Sequence, residues 1–260
     1  MNMSFYTGAV GAWQQQERMN VQANNIANVN NYGFKAERAT FHHLMYGNVM
    51  GIDNEDLPRG TGTKMAKASV DFYSSNGYQD TGRTFDFAIV GNGFFALYDL
   101  ETEEVSFTRD GAFMMASFEV PPDEDAEPEI DPITGEEIPP ENTLEWRLSD
   151  NEGRCVLDRD GNFIVIDPQD RQAELDVGVF DYRIYDGMLH ADSGRFIPIE
   201  KNGDLYMGTG EVKRGMIELS NVDLAQELSK VIESQRAYGY ALRMVQTSDE
   251  IEQTINGLPN

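Results

Sequence analysis

Residues 4–30 read SFYTGAVGAWQQQERMNVQANNIANVN. Within them Phe5, Ala9, Ala12, Gln16, Met19, Ala23 and Ile26 recur at alternating spacings of four and three. That is the a/d pattern by which a helix keeps one face toward a partner helix. No proline interrupts the run, and Gly33 stands just beyond it, where a helix commonly ends in a left-handed residue. The seam includes several alanines, so a close helix approach is expected.

The other end of the chain repeats the design. Ser220 and Asp223 form a Ser-x-x-Asp start signal, a near-match to a capping box. Leu224, Leu228, Val231, Gln235, Tyr238, Leu242 and Val245 then show the same four-three spacing. The phase slips after Val245 and resumes at Ser248, Ile251, Ile255 and Leu258, and Gly257 and Pro259 mark a stop. Gln16 and Gln235 each fall in mid-seam. A buried polar residue at such a position can fix the register between helices.

Between these two helices the period changes. Phe85 to Val90, Phe94 to Tyr98, Glu104 to Thr108, Phe163 to Ile166 and Asp181 to Tyr185 are short apolar or alternating runs that read as strands. Asp110-Gly111, Asp160-Gly161, Asp186-Gly187 and Asn202-Gly203 are turn signals among them. The fold class expected is α+β: long N- and C-terminal helices pairing as a coiled-coil-like element, with a mostly antiparallel β domain between them. The boundaries expected are 1–40 for the N-terminal helix and the motif that follows it, 41–69 for a linker, 70–214 for the β-rich domain and 215–260 for the C-terminal helix. Residues 119–145 stand apart, with eleven acidic residues, no basic ones and six of the ten prolines of the chain. Such a stretch buries too little apolar surface to order itself, so it reads as a solvated insertion in a β-domain loop.

Composition narrows the functions. With 20 basic and 45 acidic residues in 260 the net charge is −25, which repels nucleic acid and anionic membrane surfaces. The single cysteine, Cys155, excludes an intrachain disulfide and a Cys-based metal site. No apolar run approaches the roughly 18 residues of a membrane helix. The N-terminal residues lack a basic stretch followed by an apolar one, so no cleavable secretory signal is expected.

Several motifs suggest chemistry. Gly91-Asn92-Gly93-Phe94-Phe95-Ala96 matches the G-x-G-x-x-G/A dinucleotide pattern, which would make the chain an oxidoreductase. That pattern needs a following helix whose N-terminus holds the pyrophosphate. Here residues reading as strands follow, so a tight β connection that buries Phe94 or Phe95 is expected instead. Asp158-Arg159-Asp160-Gly161 resembles part of a calcium loop, but the first loop position falls on Val156 rather than a carboxylate. His42 and His43 are adjacent and point different ways, and the third histidine is His190. No catalytic, cofactor or metal-binding residue is expected.

The terminal segments carry a resemblance. Ala23-Asn24-Asn25-Ile26-Ala27-Asn28-Val29 followed by Gly33-Phe34-Lys35 resembles the signature of flagellar basal-body rod and hook proteins. Gly215-Met216-Ile217-Glu218-Leu219-Ser220-Asn221-Val222-Asp223 and Gln235-Arg236-Ala237-Tyr238 resemble that family's last helix and its approach. Asp86 to Phe95 and Thr108-Arg109-Asp110-Gly111-Ala112-Phe113 resemble its shared β domain. Asn31, Gly239 and Ala241 depart from the usual family residues, and the acidic insertion is not general to the family. The length suits a proximal- or distal-rod subunit, and Phe5-Tyr6-Thr7 leans to the proximal type.

The resemblance implies a structural, non-enzymatic subunit of the basal-body rod that self-assembles into a helical tubular drive shaft transmitting motor torque. A hook or hook-associated protein is the alternative within the family. The implied partners are copies of the chain, other rod and hook subunits and the flagellar type III export apparatus, with no nucleic acid and no membrane insertion. The implied location is the basal body in the cell envelope, reached without a cleaved signal peptide. The seam residues named above, Phe5 through Val245, are the expected assembly interface. Asn24, Asn25, Asn28, Gly33, Phe34, Ser220, Asn221, Gln235 and Arg236 carry the signature.

Overall fold

The computed structural model describes residues 3–44, 47–50, 56–59, 62–120, 129–130, 137–138, 143–170 and 173–257. Contacts divide the chain into two compact units, Met1–Ser74 with Ser220–Asn260, and Ser75–Leu219.

The first unit holds both helices. Helix α1 spans Met3–Ala27 and α2 spans Leu224–Asn256. Glu37–His43 (β1) and Thr63–Val70, the fourth strand in chain order, pair antiparallel with a register shift between Thr40 and Phe41. Between them Gly47–Met50 (β2) pairs with Asp56–Arg59 (β3), so Thr63–Val70 is β4. Residues 41–69, expected as a linker, therefore carry strands. Alternating exposure along Glu37–Thr40 fits a strand with one covered face. Helix α2 starts one turn later than the Ser220 signal suggests. Its N-cap is Asp223, whose Oδ1 accepts from the backbone N–H groups of Ala225 and Gln226 at 2.9 and 3.2 Å. The carboxylate satisfies two of the N–H groups that a helix start leaves open.

The second unit is antiparallel β. Its strands are Tyr78–Asp80 (β5), Phe87–Val90 (β6), Phe95–Tyr98 (β7), Val105–Thr108 (β8), Met114–Val120 (β9), Glu129–Ile130 (β10) and Glu137–Ile138 (β11). They continue with Thr143–Ser149 (β12), Cys155–Val156 (β13), Phe180–Tyr182 (β14), Leu189–Ala191 (β15), Arg195–Ile197 (β16), Leu205–Met207 (β17), Glu211–Arg214 (β18) and Met216–Glu218 (β19). A seven-stranded sheet runs β15-β16-β8-β7-β13-β12-β9, and β14-β17, β6-β18 and β5-β19 form pairs. Phe87, Ile89, Phe95, Leu97, Phe113, Leu148, Val156, Ile164, Ile166, Val177 and Val179 make the core. Strands β6 and β7 are buried along nearly their whole length, which is why they read as unbroken apolar runs. Phe163 to Ile166 forms no strand; it makes isolated bridges, Leu157 to Phe163 and Arg147 to Val165.

The acidic stretch 119–145 lies mostly outside the described residues. Its two ends are strand rather than loop. Glu119 pairs with Leu144 and Val120 with Thr143 as β9 and β12 run on past the core. Within it Glu129–Ile130 pairs with Glu137–Ile138.

The glycines at 91 and 93 make a turn, with φ of 110° and 122°, a conformation few side chains tolerate. A Cβ on Gly93 would lie 2.4 Å from Val179 Cγ1. Phe94 and Phe95 are buried as expected, and Phe94 exchanges backbone hydrogen bonds with Phe180 at 2.7 and 2.9 Å. Strand β7 follows, not a helix, so residues 91–96 lack the helix N-terminus that the oxidoreductase reading requires. Asp158 to Gly161 is a turn closed by Asp158 Oδ1, which accepts from Asp160 N and Asn162 N at 2.9 and 2.8 Å.

Candidate assembly interface

The signature asparagines act as backbone substitutes. Asn25 is 1% exposed; its Nδ2 donates to Glu37 O at 2.8 Å and its Oδ1 accepts from Glu37 N at 2.9 Å. The side chain thus pairs with the first residue of β1 as a neighbouring strand would. Asn221 does the same from the other terminus. Its Oδ1 accepts from Ala36 N at 2.6 Å, and its Nδ2 donates to Asp71 O and Ser74 Oγ, each at 2.9 Å. One buried and one half-buried amide therefore satisfy backbone groups that would otherwise be costly to leave unpaired. Asn24 and Asn28 close the end of α1: Asn28 Nδ2 donates to Asn24 O at 2.8 Å, and Asn31 Nδ2 donates to Asn28 Oδ1 at 2.7 Å. Gly33, at φ 64°, turns the chain so that Phe34 packs with Ala36, Val29 and Val222. Ser220 Oγ accepts from Val222 N at 3.4 Å, and Gln235 and Arg236 are exposed.

Charge supports the same junction. Burial pushes the Asp71 carboxyl up, but the Ser74 hydroxyl and N–H and the Arg38 guanidinium outweigh it and hold it below the usual range. Lys35, buried, donates from Nζ to Ser74 O at 3.0 Å.

The helices run antiparallel and close. A Cβ on Gly8 would meet Val245 Cγ2 at 3.0 Å and Ala241 O at 3.3 Å. Ser4 and Ser248 share a hydroxyl–hydroxyl bond of 2.9 Å. What the pair buries is mostly small or polar: Gly8, Ala12, Gln14, Gln22, Glu227, Ser234 and Ser248. Gln14 Oε1 accepts from Met65 N of β4. Of the expected seam, Ala12 alone is buried. Met19, Ile26, Val231, Tyr238 and Val245 are half-buried, while Phe5, Ala9, Gln16, Ala23, Leu224, Leu228, Gln235 and Leu242 are exposed. Gln16 and Gln235 therefore do not set the register of this pair; the buried glutamines are Gln14 and Gln22. Tyr6, Trp13, Ile232, Tyr240, Met244, Ile251 and Ile255 are further large apolar residues left exposed on the helices. Ile251 and Ile255 belong to the resumed phase after Val245, whereas Tyr6, Trp13, Ile232, Tyr240 and Met244 lie off the stripe that the heptad spacing follows. Counting apolar residues off that stripe would have found Trp13, Ile232 and Met244.

The Asp86 to Phe95 and Thr108 to Phe113 segments of the β unit have a separate role within it. Arg109, 5% exposed, donates from Nη1 to Ile89 O and Glu218 Oε2 at 3.1 and 3.2 Å, and from Nη2 to Gly91 O at 2.6 Å. Its guanidinium lies 5.6 Å from the Phe94 ring centroid. One side chain thus ties the glycine turn to β19. A Cβ on Gly111 would fall 1.7 Å from Phe87 O, so the residue after Asp110 must be glycine.

Residues 5–35 match the family described as "Flagella basal body rod protein", and residues 213–258 match "Flagellar basal body rod FlgEFG protein C-terminal". The flagellar basal-body rod protein FlgG of Buchnera aphidicola (subspecies Schizaphis graminum) is 29% identical over 98% of this chain and 99% of its own length. That of Bacillus subtilis is 29% identical over 99% of each. The flagellar hook protein FlgE of Borreliella burgdorferi is 38% identical over 44% of this chain and 27% of its own. The two matched segments hold most of α1 with Asn25, and β19 with Asn221 and α2, the elements that form the asparagine junction and the helix pair. The two terminal segments of this chain match flagellar basal-body rod family models, and along nearly its whole length the chain is similar to rod proteins.

Proposed function

We propose that this chain is a rod subunit of the basal body that self-assembles through its terminal helices into a helical tube transmitting motor torque, without bond chemistry. The observation that carries it is the inverted helix pair. The helices bury glycine, alanine, serine and glutamine against each other and leave Leu224, Leu228, Ile232, Leu242 and Met244 exposed. Large apolar side chains left exposed in this number on one helix mark an interaction site. Contacts between different patches of identical subunits propagate as open helices when they do not close into a ring. Partners on this reading are copies of the chain and other rod and hook subunits, and the type III export apparatus delivers it without cleavage of a signal. Phe5, Ala9, Gln16, Ala23, Leu224, Leu228, Gln235 and Leu242 are then contact residues between subunits.

Electron microscopy of isolated basal bodies carrying an epitope-labelled copy tests this. Label along the rod supports it; label absent from every axial structure overturns it. The identity to a hook protein favours a second reading as a hook subunit, which label confined to the hook would support. Intact-mass measurement of the exported chain checks the export reading, since a shortened N-terminus would contradict it.

A further inference from the structure

The C-terminal half of α1, the start of β1 and the first turns of α2 enclose a cavity of about 190 Å³. Arg18, Gln22, Glu37, Arg38, Glu227 and Lys230 supply its polar lining. Three cations and two carboxylates line it, in a chain of net charge −25, and the cation of interest is the one least closely paired. Arg38 is held by Asp71 and Lys230 by Glu227, at 2.5 and 2.6 Å, whereas Arg18, over the Phe41 ring, has its carboxylate contact among the described residues with Glu233 at 3.9 Å. Gln22 is 3% exposed, and its Oε1 has no hydrogen-bond partner among the described residues. A buried amide oxygen left open is costly unless a ligand group completes it. Rotating the amide presents its two donors to the same space instead, so Gln22 can meet an acceptor equally well.

The complement lies at the other end of α2. After Arg243 there is no lysine or arginine, while Asp249, Glu250 and Glu252 follow in quick succession. Glu250 shares an open groove with Thr247, Ile251, Thr254 and Ile255, and both isoleucines are exposed. Lys230 and Glu250 stand on one continuous helix, so a single molecule cannot bring its own acidic end to its own cavity.

We propose that the cavity receives the acidic C-terminal turns of α2 from a second copy of this chain, with Glu250 facing Arg18. The contact is heterologous, joining two different patches, and therefore can propagate. Charge complementarity fixes its direction and excludes the reverse pairing. The inference rests on the self-assembly reading above.

Sedimentation of the purified full chain at low salt tests it. Arg18→Glu and Glu250→Lys should each weaken self-association at least roughly tenfold, since each sets like charges face to face. An equimolar mixture of the two variants should recover association, because each then offers the other an opposite charge, and the doubly substituted chain should recover it too. Circular dichroism checks that the helices persist; Arg18→Ala, which removes the charge without reversing it, replaces Arg18→Glu if they do not. Association unaffected by either single change, or no recovery in the mixture and the double variant, overturns this contact while leaving self-assembly standing. A native chain that stays monomeric at every concentration overturns both.

Discussion

Ala36 and Asn221, 185 positions apart, are joined by a hydrogen bond of 2.6 Å from the Ala36 N–H to the Asn221 Oδ1. With Asn25 and Glu37 on the other side, it clamps the segment leaving α1 against the segment entering α2.

Asn221→Ala should destabilise the helix-bearing unit by about 2–4 kcal/mol, because it strands the Ala36 N–H and removes the donors to Asp71 O and Ser74 Oγ. Hydrogen exchange read by mass spectrometry should show faster exchange over residues 25–37. Exchange in Phe87–Leu97 should not change.

Arg109→Met should cost the β unit about 3–5 kcal/mol, since it takes the guanidinium away from buried Glu218. Replacing both residues with apolar ones should cost less than the two single changes added together, because the pair acts as one unit. Denaturant unfolding of the four chains of that cycle measures the coupling.

The two helices and the antiparallel middle are legible in the sequence because their signals are local, whereas the helix ends fall away from the Gly33 and Ser220 signals. Heptad spacing, glycine turns and apolar runs each report on a few neighbouring residues. The orientation of the helix faces was not legible. A stripe such as Leu224-Leu228-Gln235-Leu242 states that some partner covers it, but not whether that partner is α1. The structure assigns the partnership with α1 to small and polar residues, Gly8, Ser234 and Ser248, which no hydrophobic pattern marks. Asn25 and Asn221 were picked out through resemblance, but their pairing with Glu37 and Ala36 is long-range hydrogen bonding that only coordinates reveal.

Gly111→Ala and Gly161→Ala should differ sharply. The first places a Cβ 1.7 Å from the Phe87 carbonyl oxygen and should prevent the β unit from folding. The second meets nothing within 4 Å, and strain at φ 84° alone sets its cost, about 1 kcal/mol. Thermal melts of both purified chains make the comparison.

Asp110 gives a pH test. Burial pushes its carboxyl up, and the charges of Asp150 and Asp86 add to that, outweighing the hydrogen bond from Ala112 N. A carboxyl raised in the fold contributes stability below its unfolded pKa of about 3.9, and that contribution is lost as pH rises through the folded value. Asp110→Asn should therefore change stability little near pH 3.5 and increase it at pH 7. An equal effect at both pH values would contradict the assignment.

The central claim is that the outward apolar face of the helix pair builds the rod. Leu228 and Leu242 are 48% and 39% exposed in the single chain, so Leu228→Asp with Leu242→Asp should leave its unfolding midpoint and helix content nearly unchanged. In an assembled tube the same carboxylates would be buried without partners, which is strongly unfavourable. The decisive measurement is electron microscopy of basal bodies from cells whose only copy is the double variant, beside the melting curve of the purified chain. The account predicts a folded, exported subunit, no completed rod and non-motile cells. Intact rods and swimming cells with the variant incorporated would contradict it.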